Sequence, residues 1–125
     1  MAKLKEIVVD ADNPAKLARW WAQVTDGYAV RAYDDAETAR LAAIGLTPET
    51  DTTVMVDGPG PTLCFHLRGG PRPFRNRIHL DLSSADRDAE VKRLLALGAS
   101  FWRSVDNYTT LRDPEGNQFC IIDAD

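Results

Sequence analysis

A chain of 125 residues supplies one core of ordinary size, and 44% hydrophobic with 27% charged residues is a globular balance that excludes disorder over most of the length. The 15 Lys and Arg against 19 Asp and Glu leave a formal net charge of -4 with no long basic run, so nucleic acid is not an expected partner. No stretch approaches the roughly 18 apolar residues of a membrane helix, and Met1 to Glu6 lacks a signal-peptide core, so the expectation is a cytoplasmic protein with no membrane partner.

Ile7-Val8-Val9 is a β-branched run ending at Asp10 to Pro14, where Asp12 or Asn13 can cap a helix with Pro14 in its first turn. Leu17, Trp20, Trp21 and Val24 then recur at helical spacing until Asp26-Gly27. Two adjacent tryptophans on one helix are expected to split, one fully in the core and one at its edge, because neighbouring side chains point about 100° apart. Tyr28 to Tyr33 alternates as a strand, and Asp34 to Gly45 reads as a short helix inserted between strands. Thr52 to Val56 and Thr62 to Leu67 flank the turn-rich Asp57 to Pro61 and read as a hairpin.

Arg68 to Arg77 holds Arg68, Arg72, Arg75 and Arg77 among glycines and prolines. It reads as a solvated loop that an anionic ligand could also use, and Arg68 to Arg75 within it reads as the linker between the halves. Beyond it, Arg77 to Leu82 alternates as a strand, Ser83 to Asp86 offers caps, and Val91, Leu94, Leu95 and Leu97 mark a helix over Asp86 to Leu97. Phe101 to Val105, Tyr108 to Leu111 and Gln118 to Ile122 are three more strands. The two halves repeat the order β-α-β-β-β. Gly60-Pro61-Thr62-Leu63-Cys64 parallels Gly116-Asn117-Gln118-Phe119-Cys120, with a glycine turn followed four positions later by cysteine. Pairing two such units covers sheet faces that one leaves bare, so the expected architecture is a single α+β domain with modules at 1–70 and 75–125.

The stretches Val9 to Trp21, Asn76 to Leu82, Leu94 to Ala99 and Asp113-Pro114-Glu115-Gly116-Asn117-Gln118-Phe119-Cys120 resemble the glyoxalase-like domain proteins of the vicinal oxygen chelate superfamily, which joins glyoxalases, bleomycin resistance proteins and dioxygenases. The resemblance covers nearly the whole chain. It implies paired βαβββ modules curling around a pocket, a homodimer, and in many members a divalent metal held by four strand side chains. Those four positions fall near Lys5 or Glu6, at Cys64, at His79 and at Cys120. Metal-dependent members carry His, Gln or Glu there; in this chain only His79 fits cleanly, and thiols replace both later carboxylates.

His79 shares a strand face with Asp81, and the resemblance turns it from a structural histidine into a pocket contact able to hydrogen-bond or move a proton. Cys64 and Cys120 match no standard structural zinc spacing and read as free thiols of the core, although with His79 and Glu6 they would make a soft set suited to zinc. Alternation puts His66 on the face of Cys64, where it either lines the cavity or meets solvent at the strand end. Trp102 and Tyr108 either form an aromatic wall for a planar ligand or simply follow the preference of strands for aromatics. Asp113 to Asn117 is a turn in which Gly116 supplies backbone freedom.

The function expected from these features is binding or sequestration of a small organic or antibiotic-like molecule, with no metal or other cofactor, as resistance members of the superfamily do. The binding residues would be Glu6, Cys64, His66, Trp102, Tyr108 and Cys120, with His79 as the candidate catalytic group. The alternative is a lyase or isomerase using His79 as acid or base, with or without zinc. A third is an interaction module whose pocket has filled with side chains.

Overall fold

The computed structural model describes residue 1, residues 3–73 and residues 76–124. Arg75, the expected start of the second module and one of the linker arginines, lies outside the described residues. The backbone separates into two compact units, Met1–Gly70 and Pro71–Asp125.

The first unit runs β1 (Glu6–Ala11), α1 (Pro14–Val24), β2 (Ala29–Val30), α2 (Asp35–Ala43), β3 (Thr53–Asp57) and β4 (Thr62–Leu67). The Asn13 side chain caps α1 by accepting from Lys16 N at 3.1 Å, one position ahead of the helical Pro14. The sheet order is β1-β4-β3-β2, with β1 parallel to β4 and the other pairs antiparallel. Strand alternation turns Val54, Val56, Leu63 and Phe65 toward α1, where they form the buried layer. Thr53, Met55, Asp57, Thr62, Cys64 and His66 therefore share the opposite face.

Two expectations change here. Trp20 and Trp21 are both buried, at 6% and 3% exposure, with their rings edge to face at 5.3 Å. Helix α1 touches all four strands of its sheet, so its buried arc is wider than a stripe facing one surface, and it takes in both rings. The strand expected over Tyr28 to Tyr33 shrinks to Ala29–Val30. Its flanking tyrosines are committed to loops: Tyr28 Oη donates to Pro61 O at 2.9 Å and its ring fills the space a Cβ on Gly58 would need, while Tyr33 Oη donates to Asp51 Oδ2 at 2.9 Å.

The second unit runs β5 (Leu80–Ser84), α3 (Arg87–Ala96), β6 (Ser100–Val105), β7 (Tyr108–Arg112) and β8 (Gln118–Asp123). Its order, β5-β8-β7-β6, repeats that of the first unit, again with only the first pair parallel. The fold is thus α+β, two four-stranded mixed sheets with three helices, and α2 is the element the second unit lacks. Phe119, Ile121 and Leu111 fill the layer under α3 together with Leu94. The expected strand at Arg77 to Leu82 is displaced: Arg77, Ile78 and His79 precede β5, and Ser83 and Ser84 belong to it rather than to the helix cap. Asp86 alone caps α3, accepting from Ala89 N at 3.1 Å, while Ser84 Oγ accepts from Asp86 N at 3.2 Å.

Asp113 to Asn117 forms the turn into β8, with Gly116 at φ 86, the left-handed region glycine enters without strain. The buried Asp113 carboxylate holds this turn. It accepts from Glu115 N, Asn117 N and Asn117 Nδ2, each at 2.9 Å.

Candidate functional site

The repeat fixes which residues occupy equivalent places. Cys64 lies on β4 between Val8 and Met55, and Cys120 lies on β8 between Asp81 and Thr110. Both thiols are free and buried. Burial pushes the Cys64 thiol up from its ordinary value, with the Glu6 carboxylate adding to the effect, so at neutral pH it is a thiol rather than a thiolate. Cys120 Sγ lies 3.4 Å from Thr110 Oγ1.

Away from its helix, the second sheet encloses a hollow of about 200 Å³. Its floor is Cys120 with Gln118 and Ile122, the alternate residues of β8, and Thr110 and Tyr108 of β7 stand beside them. His79 and Asp81 close one side, with His79 Nε2 3.2 Å from Asp81 Oδ1 and both side chains about half exposed, at 54% and 52%. Trp102 and Arg103 close the other. They are consecutive yet both line the hollow, because the register of β6 on β7 slips between Phe101 and Arg103 and breaks the alternation. The Arg112 guanidinium lies over the Trp102 ring, 4.6 Å from its centroid, and that of Arg103 lies at 5.8 Å.

Of the residues singled out in the sequence, four meet in this hollow: His79, Trp102, Tyr108 and Cys120. Glu6, Cys64 and His66 belong to the first unit. His66 is exposed near the end of β4, its Nδ1 2.8 Å from Thr53 Oγ1. Sequence reasoning put Asp81 on the face of His79 without giving it a role, and passed over Arg103, Thr110, Gln118 and Ile122. Alternation from Cys120 and Tyr108 could have found Gln118, Ile122 and Thr110, whereas Arg103 needs the bulge, which has no sequence signature.

The first unit has its own, wider hollow of about 600 Å³ beside α2, but its polar groups already have partners. Arg31 is bidentate on Asp57 at 2.7 and 2.8 Å, Arg40 is bidentate on Glu37, and Tyr33 donates to the buried Asp51. Burial first and then the Asp51 carboxylate drive the Tyr33 phenol well above its ordinary value, which keeps it a donor. A site satisfied internally offers a ligand little.

The superfamily resemblance raises the matter of a metal. In the second unit one imidazole, one carboxylate and one thiol, from His79, Asp81 and Cys120, bring donor atoms within 4.8 Å of one another. Magnesium, manganese or iron(II) would want more oxygen than this, so the set does not fit them; soft and mixed, it does fit zinc.

The glyoxalase-like domain model matches residues 6–122. This chain belongs to that family. A glyoxalase/bleomycin resistance protein/dioxygenase family enzyme from Burkholderia phytofirmans PsJN has the same fold, with a TM-score of 0.72, 15% identity and 98% of each chain covered. The fosfomycin resistance protein FosX from Mesorhizobium loti superposes with a TM-score of 0.67 at 12% identity, over 98% of this chain and 91% of that one. TioX from Micromonospora sp. ML1 gives 0.60 at 15% identity, over 96% and 97%. At such identities the likeness is one of fold. No curated protein matches the sequence. Among the described residues no helix is long and apolar enough to cross a membrane.

Proposed function

We propose that this glyoxalase-like protein binds a small organic molecule in the hollow of its second unit, and that it does so without a metal. The observation that carries the reading is the wall itself: an indole, a phenol and a half-exposed imidazole converge on one concave sheet face over a buried thiol. Aromatic walls with a few fixed polar groups are the usual make-up of small-molecule sites. Trp102 and Tyr108 supply flat apolar area, and His79, oriented by Asp81, supplies a donor or acceptor at the mouth. Binding or sequestering an antibiotic-like compound is the version of this function nearest to the fold's resistance members. A homodimer belongs to the same reading, since each unit's sheet ends in two edge strands that another chain could cover.

A thermal-shift screen with small aromatic and carbonyl compounds tests it. Trp102→Ala should weaken the best binder by about 1 to 2 kcal/mol, the worth of a stacked ring and its buried area. His79→Ala should weaken it by about 1 kcal/mol, because a half-exposed hydrogen bond costs less to lose than a buried one. A binder indifferent to both changes would contradict the assignment.

One observation favours a second reading, a lyase or isomerase assisted by zinc: His79, Asp81 and Cys120 converge within a single unit. Bound there, zinc would act as a Lewis acid toward a ligand oxygen. Metal analysis of protein purified without a histidine tag separates the readings. The metal-free reading expects well under one equivalent of zinc per chain. One equivalent that is lost in Cys120→Ser and kept in Cys64→Ser would replace it with the zinc enzyme.

A further inference from the structure

The two units use the same sheet register, so they can be compared position by position. In the first unit Asp57 stands opposite Thr62 across the turn between β3 and β4, Thr62 Oγ1 donates to Asp57 Oδ1 at 2.9 Å, and Arg31 from the neighbouring strand end is bidentate on the same carboxylate. One anion satisfies a hydroxyl and a guanidinium. In the second unit the residue paired with Gln118, the counterpart of Thr62, is Arg112, and the place of Arg31 falls at the Trp102–Arg103 bulge. The carboxylate at the centre of the network is gone and an arginine stands in its position.

The consequence is a surplus of donors. Gln118 Nε2 is buried and has no hydrogen-bond partner, although Gln118 lines the hollow. Among the described residues neither Arg103 nor Arg112 has a carboxylate partner; both guanidiniums lie against the Trp102 ring instead. A buried amide donor without an acceptor is costly, and it is tolerated where something else supplies the acceptor. Planar guanidiniums and an amide beside a concave wall match the oxygen pair of a carboxylate, and the indole and phenol beside them match a flat body.

We infer that the hollow of the second unit recognises a small planar molecule bearing a carboxylate, with Gln118 and Arg103, which both line it, taking the anionic oxygens, Arg112 over the Trp102 ring adding positive potential, and Trp102 and Tyr108 receiving the flat body. This rests on the proposal that the hollow is a ligand site, and names the ligand class for it. Gln118 and Arg103 are the specificity-determining residues. The Asp81 carboxylate stands with His79 on the opposite side of the hollow and favours entry of the anion with its charge toward the arginines.

The test is a titration of the ¹⁵N-labelled full chain with benzoate, and with benzamide and benzyl alcohol as neutral counterparts of the same size, read from the amide and indole resonances. Benzoate should bind about tenfold more tightly than benzyl alcohol, the usual effect of one charge-assisted hydrogen bond, and shift the Gln118 side-chain amide and the Trp102 indole. Gln118→Leu and Arg103→Gln should each weaken benzoate about tenfold and change benzyl alcohol far less. Should Gln118→Leu fail to fold, Gln118→Glu serves in its place, repelling benzoate while sparing the neutral compounds. Equal affinity for all three compounds, unmoved by these substitutions, would overturn the carboxylate assignment and leave the hollow as a ligand site. No shift in the second unit with any compound at millimolar concentration would overturn both.

Discussion

Phe119→Ala should lower stability by about 3 to 5 kcal/mol, the largest effect expected of any single truncation in the second unit. Phe119 is fully buried at 0% exposure, next to Cys120 on β8, paired with Leu80 on one side and Leu111 on the other. Its ring fills the layer under α3, whose own contribution is thin, since Leu94 is the one α3 residue that is fully buried. A helix with so few buried side chains cannot collapse into the space a phenyl ring leaves, so most of the cavity would remain. Against the roughly 5 to 15 kcal/mol that holds a domain together, the loss is a large fraction, and a melting temperature lower by roughly 10 to 20 °C is expected. Calorimetry or thermal denaturation followed by circular dichroism reads it. A drop of only a few degrees would mean the layer under α3 repacks.

The second large effect is at the turn into β8. Asp113→Ala should cost about 2 to 4 kcal/mol, because it leaves the Glu115 and Asn117 amides and the Asn117 side chain without their acceptor in a site that is 2% exposed. Asp113→Asn discriminates between lost hydrogen bonds and lost space. It keeps an oxygen for the two backbone amides but sets an NH₂ against the Asn117 NH₂, and Asn117 cannot turn round without losing the 3.2 Å bond its Oδ1 accepts from Asn76 Nδ2. About half of the alanine penalty should therefore remain. Urea denaturation of the two variants measures both numbers, and equal penalties for Asn and Ala would show that the carboxylate charge, not the hydrogen-bond pattern, holds the turn. Because this turn delivers Gln118 and Cys120 to the hollow, a destabilised turn should also loosen ligand binding.

Much of this fold was legible because its elements obey their own periods. Strand β4 spans the residues that alternation marked, α1 and α3 begin at the polar caps before them, and the glycine turn followed by cysteine recurs because both units place that cysteine at the middle of the same sheet position. What failed did so for identifiable reasons. The Tyr28 to Tyr33 run alternates, but its tyrosine hydroxyls find partners at Pro61 and Asp51 and draw the chain off the sheet edge. The start of β5 was misplaced because Ile78, exposed at 78%, fits the alternation without having a core to enter.

The lining of the candidate hollow was half legible. His79, Trp102, Tyr108 and Cys120 followed from residue type and from the resemblance, yet residue type says nothing of a β-bulge, and the bulge is what turns Trp102 and Arg103 to the same side. Gln118 was hidden differently. A glutamine at a strand start reads as a solvated residue, and only its position opposite Arg112, where the other unit pairs a threonine with an aspartate, shows it to be a donor without an acceptor.

The measurement closest to the central claim is chemical-shift mapping of the ¹⁵N-labelled chain with the strongest compound from the thermal-shift screen. The hollow of the second unit predicts saturable shifts centred on His79, Trp102, Tyr108, Gln118 and Cys120, with the Arg31, Tyr33 and Arg40 resonances of the first unit unmoved. Saturable shifts centred on Arg31, Tyr33 and Arg40 instead, with the second unit silent, would contradict it.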